Sequence, residues 1–209
     1  MVAGSRKKIE KLEKIMQSYR DKTHMLVYCG AASLYRYDFY EHDYEEEERQ
    51  IEAVINLLGN KLNMKVAKFT AQESIEERMV LEEKFAEGRD LQALVAIRCL
   101  DEGVNIPAIR TAFILSSTTN PKEYIQRRGR VLRLAEGKDF AGIYDFITLP
   151  RDLSQVPFLG EEERKQDTSL VKKELERAEE FGRLAINRVV TDMLIEEIMD
   201  IYKILIWNC

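Results

Sequence analysis

Short runs of consecutive apolar residues alternate along this chain with longer stretches in which apolar positions recur every three or four residues. Ile9, Leu12, Ile15, Met16 and Tyr19 have helical spacing, which predicts an amphipathic helix over residues 5–21. MLVYCG (25–30) is a continuous apolar run ending in glycine, the pattern of a strand buried on both faces. AASLYRYDFYEHDYEEEERQ (31–50) reads as a loop leading into a helix, with its acidic run solvated. IEAVINLLGN (51–60) has helical periodicity and a glycine stop, and MKVAKF (64–69) alternates like a strand. Thr70 and Glu73 are spaced as a capping box for a helix reaching about Ala86, which Gly88 ends. LQALVAI (91–97) and TAFILSS (111–117) are further strands. NPKEYIQRRGRVLR begins as a helix should, with Asn120 as cap, Pro121 in the first position and Glu123 three residues after the cap. FAGIYDFITL (140–149) closes the series as a strand.

Strands alternating with helices predict an α/β fold, a parallel sheet with helices on both faces. The character changes after Pro157. Residues 161 to about 205 are charged and helix-favouring, with Leu175, Ala178, Phe181, Ala185, Val189 and Met193 as an apolar stripe and one break expected near Gly182. The expected organisation is a domain over 1–157 and a helical extension over 158–209, packed through that stripe.

Composition narrows the function classes. Of 209 residues, 45% are hydrophobic and 33% charged, which suits a globular chain with a real core. The net charge of −5 excludes a global basic field, so any nucleic-acid binding must be local. One stretch opposes the trend: Lys122, Arg127, Arg128, Arg130, Arg133 and Lys138 face only Glu123 and Glu136 between positions 121 and 138. The cysteines (Cys29, Cys99, Cys209) are far apart and no His/Cys spacing suits zinc, which points to a reducing compartment and no metal site. No charged-then-apolar leader opens the sequence, and IYKILIW is too short to span a bilayer, so a cytoplasmic protein without membrane contact is expected.

The arginine-rich helix separates into two sides. At about 100° per residue, Arg130 lies about 40° and Arg133 about −20° from Gln126. Tyr124, Ile125, Val131 and Leu132 fall on the opposite, core-facing side. Gly129 sits beside the polar group, where a missing side chain leaves room for another group. Arg127 flanks the site, and Arg128 falls on the apolar side. Taken alone, this is either a solvated basic face or a site for a highly charged anion.

The segment before it changes the balance. LVAIRCLDEGVNIPAIRTAFILSSTTNPKEYIQRRGRVLR resembles motifs V and VI of superfamily 2 helicases: a DEGVNIP turn, a strand, then a Q-x-x-G-R-x-x-R helix. MLVYCG resembles motif IV, and FTAQESIEER the segment after the next strand. The likeness covers about residues 5–150, and QRRGRVLR is nearer to restriction-type and DNA-repair-type members than to the DEAD-box group. It implies the second, C-terminal RecA-like lobe of a DEAD/DEAH-type motor, a P-loop NTPase-like sheet. By that resemblance Arg130 and Arg133 match arginine fingers, which neutralise charge on a γ-phosphoryl group. Gln126 would face the nucleotide between lobes, Gly103 would let backbone approach it, and Asn105 stands where many relatives carry a ribose-binding aspartate. The loop after motif IV (Gly30, Ala31), Thr70 and Arg98 would face a nucleic-acid backbone. Thr70 also has its capping role, and Arg98 also reads as an ordinary surface charge. Tyr35, Tyr37, Tyr40 and Tyr44 could stack on bases, or pack an insertion.

A motor also needs a phosphate loop, and no G-x-x-x-x-G-K-[ST] occurs; EGKD (136–139) is only a turn. The expectation is half a motor. ATP and Mg2+ would be held mainly by an absent N-terminal RecA-like lobe, none in this chain alone, and the track would be nucleic acid, DNA favoured over RNA. The competing reading is a stand-alone module that grips nucleic acid or a partner without ATP turnover.

Overall fold

The computed structural model describes residues 3–30, 50–70, 72–97, 106–116 and 120–204. Ala31, Arg98, Gly103, Asn105 and the tyrosines at 35, 37, 40 and 44 lie outside them. The elements are α1 (Ala3–Met16) with a 3-10 turn (Gln17–Tyr19), β1 (Met25–Cys29), a helical segment over 50–61 (α2), β2 (Val66–Phe69), α3 (Ile75–Glu87), β3 (Ala93–Ile97), β4 (Thr111–Ile114), α4 (Pro121–Val131), β5 (Gly142–Asp145), a 3-10 turn (Leu153–Phe158), α5 (Glu161–Gly182) and α6 (Arg188–Tyr202). They form two compact units, Met1–Thr118 with Ile125–Phe146, and Thr119–Tyr124 with Ile147–Cys209.

The first unit is built on a five-stranded parallel sheet of order β2-β3-β1-β4-β5. Register explains how both faces are covered, since in-register neighbours point to the same side. Lys68, Val95, Val27, Phe113 and Tyr144 form one row. Tyr19, just after α1, packs edge-on against Phe113 and Tyr144, and Leu12, Met16, Val54 and Leu58 join Val27 and Val95 in the core. That side therefore belongs to α1 and α2. The next row is Phe69, Ala96, Tyr28, Ile114 and Asp145. Arg78 of α3 lies over the Phe69 ring and Arg127 of α4 over the Tyr28 ring, so α3 and α4 cover the other side.

Two local expectations shift. The glycine of IEAVINLLGN does not stop its helix: Gly59 lies inside a π-helical end, Asn56–Lys61, where a Cβ would stand 3.4 Å from Val66 Cγ2. The capping box of α3 is Ser74 with Glu77, one turn later than Thr70 with Glu73. Thr70 instead closes a separate turn, its N–H and hydroxyl both donating to Glu73 Oε2 at 2.5 and 2.9 Å. Gly88 ends α3 in a left-handed conformation, φ 68°, as expected of a C-cap glycine.

The second unit is helical. Val156, Val171, Leu175, Ile198, Tyr202 and Ile204 form its core. The break expected near Gly182 is present, and a Cβ there would stand 2.7 Å from Thr191 Cγ2, so only glycine lets α6 come this close. The stripe expected to continue through it does not: Leu175 and Ala178 are buried, whereas Val189 and Met193 are 69% and 64% exposed. The 183–187 turn rotates α6, so its buried residues are Ile198 and Tyr202. A buried ion pair within α5 and polar contacts to the preceding segment hold the helix in place. Glu174 accepts both guanidinium nitrogens of Arg177 at 2.7 and 2.9 Å and the Thr148 N–H at 2.7 Å, and Asp167 pairs with Arg151.

Candidate functional site: the arginine helix

Asn120 starts α4 as its sequence implies. Its Oδ1 accepts the Lys122 N–H at 3.1 Å, and its Nδ2 donates to Glu123 Oε1 at 3.0 Å. Pro121 occupies the first helical position, where no N–H is needed. The helix ends with Arg128 and Arg130 in its last turn, a favourable place for cations beside the negative end of the helix dipole.

Gln126 and Arg130 stand one turn apart on α4; Gln126 is exposed, while Arg130 is only 8% exposed. Arg133 does not stand on the helix. The helix stops at Val131, and Arg133 follows a turn at Leu132, its N–H reaching the Arg130 carbonyl at 3.4 Å. The angle reckoned for an unbroken helix therefore does not apply to Arg133, which is exposed. The opposite side is only partly core: Tyr124 and Val131 are buried, but Ile125 and Leu132 are more than two-fifths exposed. Arg127 and Arg128 are both buried, and Arg127 lies 4.5 Å above the Tyr28 ring centroid. Gly129 is exposed, and a Cβ built on it would meet nothing within 4 Å. The space that its missing side chain leaves is open, not filled by a neighbour within the described residues.

Because every strand is parallel, Gly30 and Thr70 fall at the carboxyl edge of the sheet, the edge where α/β sheets bind ligands. Gly30 is held tightly there. Its N–H donates to Gln50 Oε1 at 2.9 Å, and a Cβ would come within 3.2 Å of the Ser116 side chain. The Thr70 hydroxyl donates to Glu73 and accepts the Gln72 N–H at 3.2 Å, while Arg78 Nη2 donates to its carbonyl at 2.7 Å. Thr70 thus presents a small side chain in a turn fixed from three directions.

Patterning gives no reason to single out Gln50, and marks Lys138 only as one of the basic residues between 121 and 138. Gln50 ends an acidic run, and Lys138 sits in an ordinary-looking turn. Lys138 is 7% exposed, and its Nζ donates to the carbonyls of Val131, Arg133 and Pro107. Burial, and then the charge of Arg110, push its pKa below the usual lysine value. No group of three or more His, Cys, Asp or Glu among the described residues could hold a metal ion. No helix among them is long and apolar enough to cross a membrane.

The pattern of the helicase conserved C-terminal domain family matches residues 7–135, more than half the chain. No curated protein matches. Among solved structures, the chain is similar to the C-terminal part of the Fun30 ATPase domain, at 19% identity and TM-score 0.52, covering 92% of this chain and 53% of that one. It is also similar to the yeast DEAD-box splicing factor Prp28, at 15% identity and TM-score 0.58, covering 98% of this chain and 36% of that one. The chain therefore spans about half, or less, of the length of these structures. At such identities the likeness is one of fold, the RecA-like helicase C-terminal lobe.

Proposed function

The chain belongs to the helicase conserved C-terminal domain family, and on that footing we propose that it is the C-terminal motor lobe of an ATP-dependent nucleic-acid helicase or translocase. The observation that carries this reading is the end of α4. A buried Arg130 directly follows Gly129, whose flank is open, an exposed Arg133 comes just after the helix end, and exposed Gln126 stands one turn before Arg130.

ATP with Mg2+, held mainly by an N-terminal RecA-like lobe, would supply the transferable γ-phosphoryl group. The donors present here suit such a group. Arginine carries a permanent charge on a planar fork that matches phosphate oxygens, and it can act across a cleft without any proton transfer. Arg130 and Arg133 would bring positive charge to the phosphates, and Gln126 would orient the nucleotide or its water. The open flank of Gly129 would admit the facing lobe. Gly103 and Asn105, in the DEGVNIP turn, would meet the nucleotide from the other side.

Along the carboxyl edge, Gly30, Ala31, Thr70 and Arg98 would follow a nucleic-acid backbone. Small residues and backbone amides there position the strand without reading its sequence. DNA is favoured over RNA on the likeness of QRRGRVLR to restriction and repair motors, and the setting is cytoplasmic. In this reading residues 1–157 form the motor lobe, with 158–209 as its helical extension.

The test is catalytic. The isolated chain should show no magnesium-dependent ATP turnover. The full-length protein should show turnover stimulated more by DNA than by RNA. Turnover by the pure isolated chain, abolished by Arg130→Ala, would overturn the assignment of a half-motor.

A further inference from the structure

Lys138 lies on no strand or helix, yet its ammonium is among the most completely engaged cations of the first unit. Its Nζ donates to the Val131 carbonyl at 2.7 Å, the Arg133 carbonyl at 2.8 Å and the Pro107 carbonyl at 3.2 Å. An ammonium has three N–H donors, and here each has an acceptor. Val131 ends α4, where carbonyls have no partner within the helix. The third acceptor is the carbonyl of Pro107, the last residue of DEGVNIP, 31 residues earlier.

Ending a helix does not require this. A glycine just past the last turn does so without burying a charge. The chain instead brings a lysine back under the helix end. Gly137 makes the return possible with φ 64°, and Arg110 Nη1 holds its carbonyl at 2.6 Å. Two segments distant in sequence are thereby fixed to one point.

Arg133 shares in this contact. It lies just past the helix, its N–H reaches the Arg130 carbonyl at 3.4 Å, and the shorter bond from Lys138 Nζ, 2.8 Å, ties its own carbonyl to the helix end. We propose that Lys138 is a positioning residue for the arginine pair. Its ammonium fastens the end of α4 and the Pro107 turn together, and so sets where Arg133 stands relative to Arg130. This rests on reading Arg130 and Arg133 as the phosphate-facing pair.

The experiment measures ATP turnover by the full-length protein carrying Lys138→Met, with Arg133→Ala and Lys65→Met in parallel. Methionine keeps the length and removes all donors. Lys65 donates to the Arg89 carbonyl at 2.9 Å, next to β2 and away from the arginine helix, and serves as control. The expected result for Lys138→Met is a kcat lower by about 10- to 100-fold, the scale of a misplaced catalytic group. The KM for ATP should stay within about twofold, because an interaction made only in the transition state is lost. Lys65→Met should keep its kcat. If Arg133→Ala loses turnover while Lys138→Met keeps it, the positioning role alone is overturned. If Arg133→Ala keeps turnover, the phosphate-facing reading fails and this inference with it. Should Lys138→Met not fold, Lys138→Arg decides. It keeps the charge, but its fork cannot meet three carbonyls converging on one point, so a lowered kcat at unchanged KM upholds the proposal and a normal kcat overturns it.

Discussion

The guanidinium of Arg127 stacks 4.5 Å from the ring centroid of Tyr28, with both residues buried. The first arginine after Gln126 therefore anchors the helix to the sheet. A desolvated pair of this kind contributes about 2 kcal/mol or more. In a double-mutant cycle by urea denaturation, Arg127→Met and Tyr28→Leu should show a coupling of about 2 kcal/mol. Additive effects would mean the stacking contributes nothing.

Gly129 offers a test in which stability and function part. It lies inside α4, and an added Cβ meets nothing within 4 Å. Gly129→Ala should therefore stabilise this chain by about 0.5–1 kcal/mol, the difference in helix propensity. In the full-length protein the same change should lower ATP turnover if, as proposed, the facing lobe approaches through the open flank. A stabilised variant with full turnover would show that the flank is unused.

The buried pair of Glu174 and Arg177 should dominate the stability of the helical unit. Arg177 is 1% exposed and Glu174 also takes the Thr148 N–H. Glu174→Ala leaves a buried guanidinium without its carboxylate and should cost about 3–5 kcal/mol in urea unfolding. Val189→Ser and Met193→Ser, both at exposed positions, should cost almost nothing.

At the start of α3, the Ser74 N–H and then the Ser74 side chain hold the Glu77 carboxyl below its usual pKa. A carboxylate with a lowered folded pKa adds stability above its unfolded pKa. That stability is lost as pH falls through the lowered value. Thermal melts of Glu77→Gln should lie below wild type at neutral pH and converge with it in acid. A constant offset across that range would contradict the cap.

Much of the fold is legible because the central strands β1, β3 and β4 are largely apolar runs that burial on two faces explains, as in the five buried residues Met25–Cys29. Gly182 is legible for a related reason, since a glycine amid good helix formers marks a close approach, here to Thr191. What escapes patterning depends on contacts distant in sequence. Periodicity carries α4 through Arg133, but Lys138 reaches back to its end and the helix stops at Val131. Nothing in the local sequence distinguishes Lys138 from a solvated turn lysine. Likewise Thr70 and Ser74 each have a glutamate three residues on, and only the path out of β2 decides which pair caps α3. The stripe on α5 fails to continue because the 183–187 turn resets its phase, which spacing alone cannot encode.

Burial also decides which arginine gives the cleaner test of the central claim. Arg130 is buried, so Arg130→Ala should lower stability as well as activity, contrary to what helix geometry alone implies. Arg133 is exposed, and its truncation should leave the fold intact. The most direct measurement is nucleic-acid-stimulated ATP turnover of the full-length protein with Arg133→Ala, taken beside its melting temperature. The account predicts a loss of about 10³-fold or more, the scale of an arginine finger, with the melting temperature unchanged. Near-normal turnover in a stably folded Arg133→Ala protein would contradict it, and would make the cluster a nucleic-acid patch rather than a phosphate-facing pair.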